Sequence, residues 1–322
     1  MTPSETLDTI VSCRFFPITN PSQQVTIEHF DNLRSIDLSL GNEIEIEGFV
    51  TFVPSHIGER DKDLHFELFP HINDGTEQSP RKNSRYPVIC EIQNALEDHH
   101  QPLMNAKNSK RVRVKGQFRL FLEHIQDGPG QFPHIFEVHP VTHVWIEDMG
   151  ELDNITVDAP NHEQWAESIS IYEMVKQSGV DGFTFINHKE NKQFPGIRED
   201  IITATYAQES AILKFGNITS PHNFPGVGFN YVFSKGKFIK NAEHEPEQGK
   251  PYTFPLEIDN DTKITCVVYP ETPASSIVTE FHQNPPDKIL ALALRSMNMN
   301  QLYQSKFEII LSPVFRLEEV TT

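Results

Sequence analysis

His134-Ile135-Phe136-Glu137-Val138-His139-Pro140-Val141-Thr142-His143-Val144-Trp145-Ile146 reads as one long β-strand with two unlike faces, because neighbouring side chains of a strand point to opposite sides. A weaker copy, Lys306-Phe307-Glu308-Ile309-Ile310-Leu311-Ser312-Pro313-Val314-Phe315-Arg316-Leu317, closes the chain. The echo predicts two related β-domains in tandem. The length of 322 residues suits two ordinary cores better than one.

Working back from the quoted strand, four more strands precede it. Glu43 to Val53 puts Ile44, Ile46, Val50 and Phe52 on one face and Glu43, Glu45 and Glu47 on the other, with Gly48 inviting a bend. Asp63 to Phe69 turns Leu64, Phe66 and Leu68 inward and His65 and Glu67 outward. Pro87 to Ile92 is the third strand, a short helix around Ala95 to Asp98 follows, and Lys110 to Leu122 is the fourth. Five strands with a helical piece between the third and fourth is the layout of a Greek-key barrel.

The first half of the chain, roughly 41 to 147, therefore resembles the oligonucleotide/oligosaccharide-binding (OB) fold. The set Asp61-x-Asp63-x-His65, Cys90-Glu91, Gly116 and Glu137-x-His139-Pro140-Val141 resembles bacterial OB-like domains of unassigned activity. The resemblance implies a fold and, through it, binding of single-stranded nucleic acid.

The second half repeats the plan. Lys263 to Val268 aligns with Pro87 to Ile92 and places Cys266 over Cys90. Pro273 to Phe281 is a helix, Asp287 to Arg295 the fourth strand and Phe307 to Leu317 the fifth. Phe307-Glu308 matches Phe136-Glu137 with two extra residues before Pro313, so Ile310 stands where the first barrel has His139. Between the halves, 148–162 is acidic, and Glu163 to Gln177 has helical spacing, with Trp165, Ile169, Tyr172 and Lys176 near one face. Phe194-Pro195-Gly196 and Phe224-Pro225-Gly226 repeat one turn signature. Upstream, Val25 to Leu40 fits a strand or a helix equally well.

The chain carries 23 Phe, 23 Pro and a formal charge of −18. That charge repels nucleic acid at long range and points to a protein or saccharide partner or to a small basic groove on an acidic body. Cys13, Cys90 and Cys266 form no Cys-x-x-Cys pair, which removes zinc-ribbon and redox readings and leaves buried thiols. The N-terminus has no basic, apolar leader and no run is long enough to cross a membrane, so the expected compartment is the cytoplasm.

Three groups carry candidate chemistry. Asp61, Asp63, His65, Glu91, His124, Glu137 and His139 offer carboxylates and imidazoles. Glu137 and His139 share a face, and His65 with these two is the candidate metal set. The run Lys107 to Arg119 holds six cations and no acid, with Arg111, Arg113, Lys115 and Arg119 on one face and Phe121 continuing it. It is either a cationic platform for single strands or one side of a ladder with Glu43, Glu45 and Glu47 across the first and fourth strands. Finally, Asn223 to Tyr231 supplies Phe224, Phe229 and Tyr231 for stacking, or forms a turn and core strand.

The expected architecture is mainly β: two OB-like Greek-key barrels in tandem with a short linker helix. It divides into a lead-in at 1–40, barrel one at 41–148, an acidic linker with helix at 149–182, and barrel two with an aromatic β insertion at 183–322. The expected function is non-enzymatic binding without a cofactor and without assigned catalytic residues. The partner is single-stranded nucleic acid or, in a scaffold role, a protein, with no membrane contact. Ile289 to Leu294, apolar on both faces, must be covered by barrel one, by the linker helix or by a second copy in a homo-oligomer. The competing reading is a metal-dependent hydrolase using His65, Glu137 and His139.

Overall fold

A computed structural model of the chain describes residues 1–16, 24–38, 41–58, 62–72, 86–120, 134, 136–158, 166–167, 185–187, 202–207, 210–215, 231–259, 262–303 and 308–320. The chain opens with helix α1 (Pro3–Ser12). Thr2 and Glu5 cap it reciprocally and Pro3 occupies the first turn, which satisfies its leading N–H groups. Its buried side, Thr6, Leu7, Ile10 and Val11, seats on barrel one. Strands β1 (Arg14–Phe16) and β2 (Gln24–Glu28) follow, then a 3-10 turn at Phe30–Ser35, so the ambiguous segment contains both a strand and a helical turn.

Barrel one consists of β3 (Glu43–Phe52), β4 (Leu64–Phe69), β5 (Val88–Ile92), helix α2 (Glu97–Ala106), β6 (Arg111–Leu120) and β7 (Phe136–Ile146), extended by β8 (Gly150–Glu151). The order β5-β4-β3-β6-β7 is closed by parallel pairing of β5 with β7. Helix α2 is longer than the sequence suggests and contains Pro102. Tertiary anchors outweigh that proline: His99 contacts the Asp153 carbonyl at 3.0 Å, His100 the Pro54 carbonyl at 2.8 Å, and Leu103 and Ala106 are buried.

Beyond barrel one, β9 (Ala166–Glu167), β10 (Phe185–Asn187), β11 (Ile202–Ala207) and β12 (Ser210–Phe215) are short pieces. The strands β10 to β12 join β1 and β2 in a separate sheet of order β1-β2-β12-β11-β10. The helix expected over 163–177 lies outside the described residues, apart from 166–167, which pair in parallel with Val232 and Phe233. Both Phe-Pro-Gly turns also lie outside them.

Barrel two consists of β13 (Tyr231–Phe238), β14 (Tyr252–Asp259), β15 (Thr262–Val268), α3 (Ala274–Gln283), β16 (Ile289–Met297), α4 (Met299–Tyr303) and β17 (Ile309–Glu319). Its pairings repeat barrel one strand for strand, with parallel β15–β17 and antiparallel closure of β13 on β14. The two halves are therefore tandem OB barrels. Phe66 faces Cys90 as Phe254 faces Cys266, and all four are buried. Gly48 and Gly236 occupy the same bend of the first strand. A Cβ there would sit 2.3 Å from the Phe69 carbonyl and 2.6 Å from the Glu257 carbonyl, respectively, so neither site admits a side chain.

The register corrects one alignment. Cys90 pairs with Val138 and Cys266 with Leu311, so the counterpart of His139 is Ser312, not Ile310. The fifth strand of barrel two enters two residues later than the Phe-Glu match implies.

The barrels dock through an approximately two-fold seam. The residue three past each core cysteine, Gln93 or Tyr269, reaches the start of the other barrel: Gln93 donates to the Tyr231 hydroxyl at 2.6 Å, and Tyr269 to the Gly41 carbonyl at 2.7 Å. The fourth strands touch where Arg119 Nη2 donates to the Arg295 carbonyl at 3.1 Å. Ala291 to Leu294 are all buried, with Leu294 packed on Val157, Tyr231 and Phe315. The doubly apolar strand is thus covered inside the chain and needs no second copy to cover it. No helix among the described residues is long and apolar enough to cross a membrane.

Candidate functional site

An OB barrel customarily presents the outer side of its second and third strands to ligands, with adjoining loops. In barrel one this side holds polar residues, yet it is closed. Glu67, Glu91 and Gln93 point away from the barrel core by strand alternation, and Glu137 and His139 do so from β7. All five are at most 6% exposed. Tyr231 of barrel two covers one end of the cluster and His134 caps Glu137.

Glu91 is the centre of the cluster. Its Oε2 lies 3.1 Å from His65 Nε2 and 3.2 Å from His139 Nδ1. His139 Nε2 is 3.1 Å from the Tyr231 hydroxyl, which also donates to Asp63 Oδ2 at 3.4 Å. Arg119 Nη1 contacts His139 Nδ1 at 3.0 Å and stands 3.7 Å from Glu137 Oε2, while His134 Nε2 meets Glu137 Oε1 at 3.0 Å. His65 is the half-exposed member and marks the side open to solvent.

The electrostatics follow from burial and these contacts. Burial pushes His139 down to about 4, only partly offset by Glu91, so its imidazole is neutral at pH 7. Burial opposes ionisation of Glu91 and Glu137 as well. The His139 and His65 contacts and a hydrogen bond with Asp63 outweigh it at Glu91 and hold its carboxyl well below the usual range. At Glu137 the His134 hydrogen bond and the charges of His134 and Arg119 outweigh burial and lower the carboxyl. Burial and the neighbouring Asp63 and Glu91 raise the Tyr231 phenol. Glu67 lacks such partners in strength. Desolvation pushes it up to about 7 against a single hydrogen bond from Thr51.

Of the sequence-derived metal set, His65 and His139 converge on Glu91, whereas Glu137 is held by Arg119 and His134. Asp63, Glu91 and His139 bring one donor atom each within 4.8 Å of one another. Asp61 and His124 lie outside the described residues.

The basic strand forms the ladder. Glu43 pairs with Lys115 at 3.1 Å, Glu45 with Arg113 at 3.3 Å and Glu47 with Arg111 at 3.4 Å. Each acid reaches the base two residues from its direct cross-strand partner. Arg111 lies over its β3 partner Phe49 and Arg113 over its β7 partner Trp145, both at 5.0 Å. Arg119, on the same strand, is 3% exposed and belongs to the cluster instead. Tyr231 is likewise buried in the seam, while Phe121, Phe224 and Phe229 lie outside the described residues.

Barrel two is arranged otherwise. At the positions of Glu47 and Phe49 it has Lys235 and Lys237, both exposed. Lys237, Glu257 and Lys263 stand side by side across β13, β14 and β15. Among the described residues, Lys235, Lys237 and Lys263 form no ion pair with a carboxylate. Thr253, Pro255 and Thr265 are partly exposed on this side, and Phe233 flanks Lys235. A pocket of about 350 Å³ adjoins it, lined by His244, Glu245, Glu247, Lys250, Tyr252 and Thr253. Nothing in the charge pattern of the sequence singled out these lysines, which are separated by loops rich in acid.

No family model matches the chain, and no curated protein matches it. Among solved structures it is similar to a deletion mutant of the single-stranded DNA binding protein from Thermus aquaticus, at 8% identity and a TM-score of 0.21, covering 97% of this chain and 91% of that one. A score that low carries no argument, and the fold assignment rests on the strand order.

Proposed function

We propose that the protein binds single-stranded nucleic acid through barrel two, on the outer side of β13, β14 and β15, while barrel one serves as its structural support. The observation that carries this reading is the asymmetry of two otherwise matching barrels. The customary ligand side is sealed over a buried polar cluster in barrel one. In barrel two Val267, Tyr269, Ile310 and Ser312, the counterparts of Glu91, Gln93, Glu137 and His139, are buried as well but form no charged cluster, and the exposed rim of this side carries Lys235, Lys237 and Lys263 without carboxylate partners among the described residues. Phosphates seek such cations, and Phe233 offers one stacking surface beside them. The cations of the barrel-one strand are already matched by Glu43, Glu45 and Glu47.

The test is fluorescence anisotropy of labelled single-stranded DNA and RNA over a salt series. Three lysine contacts at about −0.7 each predict a log–log salt slope of roughly −2. Replacing Lys235, Lys237 and Lys263 with Glu abolishes binding, whereas Arg111→Ala with Lys115→Ala leaves it nearly unchanged. The opposite pattern moves the site to barrel one, and no binding at low salt removes the proposal.

A further inference from the structure

We propose that Asp63, Glu91 and His139 bind a divalent transition cation, Zn²⁺ or Mn²⁺, at the seam between the barrels. The site is independent of the nucleic-acid surface. Its donors are two carboxylates and one imidazole, all buried and within 4.8 Å of one another. A mixed oxygen and nitrogen set of this kind favours zinc or manganese over calcium or magnesium.

Two features point to a cation rather than to a closed polar core. First, His139 Nδ1 faces a donor, Arg119 Nη1 at 3.0 Å, and an acceptor, Glu91 Oε2 at 3.2 Å. A proton on Nδ1 opposes the arginine, and a bare lone pair opposes the carboxylate. A cation between Nδ1 and Oε2 removes the second conflict, and Arg119 retains Glu137 and the Arg295 carbonyl. The ring's other nitrogen then donates to the Tyr231 hydroxyl, the outer contact that fixes a metal-bound imidazole. Second, Gln93 is 1% exposed and its amide nitrogen sits 3.4 Å from His139 Nε2, yet its Oε1 has no hydrogen-bond partner among the described residues, which leaves a buried acceptor beside the imidazole for a metal-bound water. His65, 3.1 Å from Glu91 and half-exposed, provides access.

The cation would tie Glu91 and His139 of barrel one to Tyr231 of barrel two, so binding is read as stability. Dialysed full-length protein is heated with EDTA, with Zn²⁺ and with Mn²⁺. Saturation a hundredfold above the dissociation constant raises the unfolding temperature by about 5 °C. Asp63→Asn and Glu91→Gln lose that rise. Should either variant fail to fold, pulsed EPR of Mn²⁺ on the unaltered protein decides. One directly bound imidazole nitrogen supports the site, whereas none or several assign the metal to other histidines. No stabilisation at millimolar metal, or equal stabilisation of both variants, overturns the proposal.

Discussion

Glu67→Gln tests the electrostatics of the sealed side. Glu67 points out from β4, is 4% exposed and accepts one hydrogen bond from Thr51 at 3.3 Å. Desolvation raises its carboxyl from 4.5 to about 7. A carboxyl raised on folding binds its proton more tightly in the native state. Its ionisation therefore removes stability as pH rises from about 4.5 through 7, the reverse of a salt-bridged acid. At 1.36 kcal/mol per pH unit, the penalty reaches about 3 kcal/mol by pH 8 and is under about 1 kcal/mol at pH 5. Glutamine keeps the shape and the bond to Thr51 without the charge. Urea unfolding at pH 5, 6, 7 and 8 should show the variant equal to the parent at the acid end and about 3 kcal/mol more stable at pH 8. The oppositely shifted Glu91 and Glu137 remain in both proteins and cancel from the difference. Parallel stability curves for parent and variant across this range would refute the burial argument for Glu67.

Other substitutions probe the remaining parts. Arg119→Ala strips the cation from buried Glu137 and should cost about 3–5 kcal/mol in chemical denaturation, whereas Arg113→Ala on the exposed ladder should cost about 1 kcal/mol or less. Gly48→Ala and Gly236→Ala each drive a methyl into a backbone carbonyl of the neighbouring strand. Both should lower the thermal midpoint, with a loss of stability typical of an overpacked core, about 1–3 kcal/mol or more. Tyr231→Phe removes the hydroxyl that joins Gln93 and His139 across the seam. It should destabilise by about 1–2 kcal/mol and increase hydrogen exchange at the start of β13.

Barrel one was legible in the sequence because its first two strands alternate apolar and polar residues, and because strand alternation placed Glu43, Glu45 and Glu47 beside the basic strand. The cysteine pair Cys90 and Cys266 located the third strands of both barrels. Strand β14 was not legible. Pro255 breaks its pattern, and it is tolerated because that stretch pairs fully only with β15, its closure on β13 being confined to Leu256 and Glu257. The cluster was half visible. Its histidines and acids were named, but the burial of Arg119 and the insertion of Tyr231 depend on how two barrels dock. Gln93 and Tyr231 are 138 positions apart, and no local pattern joins them. The lysine rim of barrel two was missed for the same reason, since Lys237 and Lys263 become neighbours only through the pairings of β13, β14 and β15.

The central claim is that the two matching barrels divide their roles, one holding a buried polar cluster and the other an exposed lysine rim. Hydrogen exchange with and without a single-stranded oligonucleotide at low salt tests it most directly. The account predicts protection confined to β13, β14, β15 and the loop from 239 to 251, with β4 and β5 unchanged. Protection on β4 and β5, or on the Arg111–Lys115 strand in place of barrel two, would contradict it.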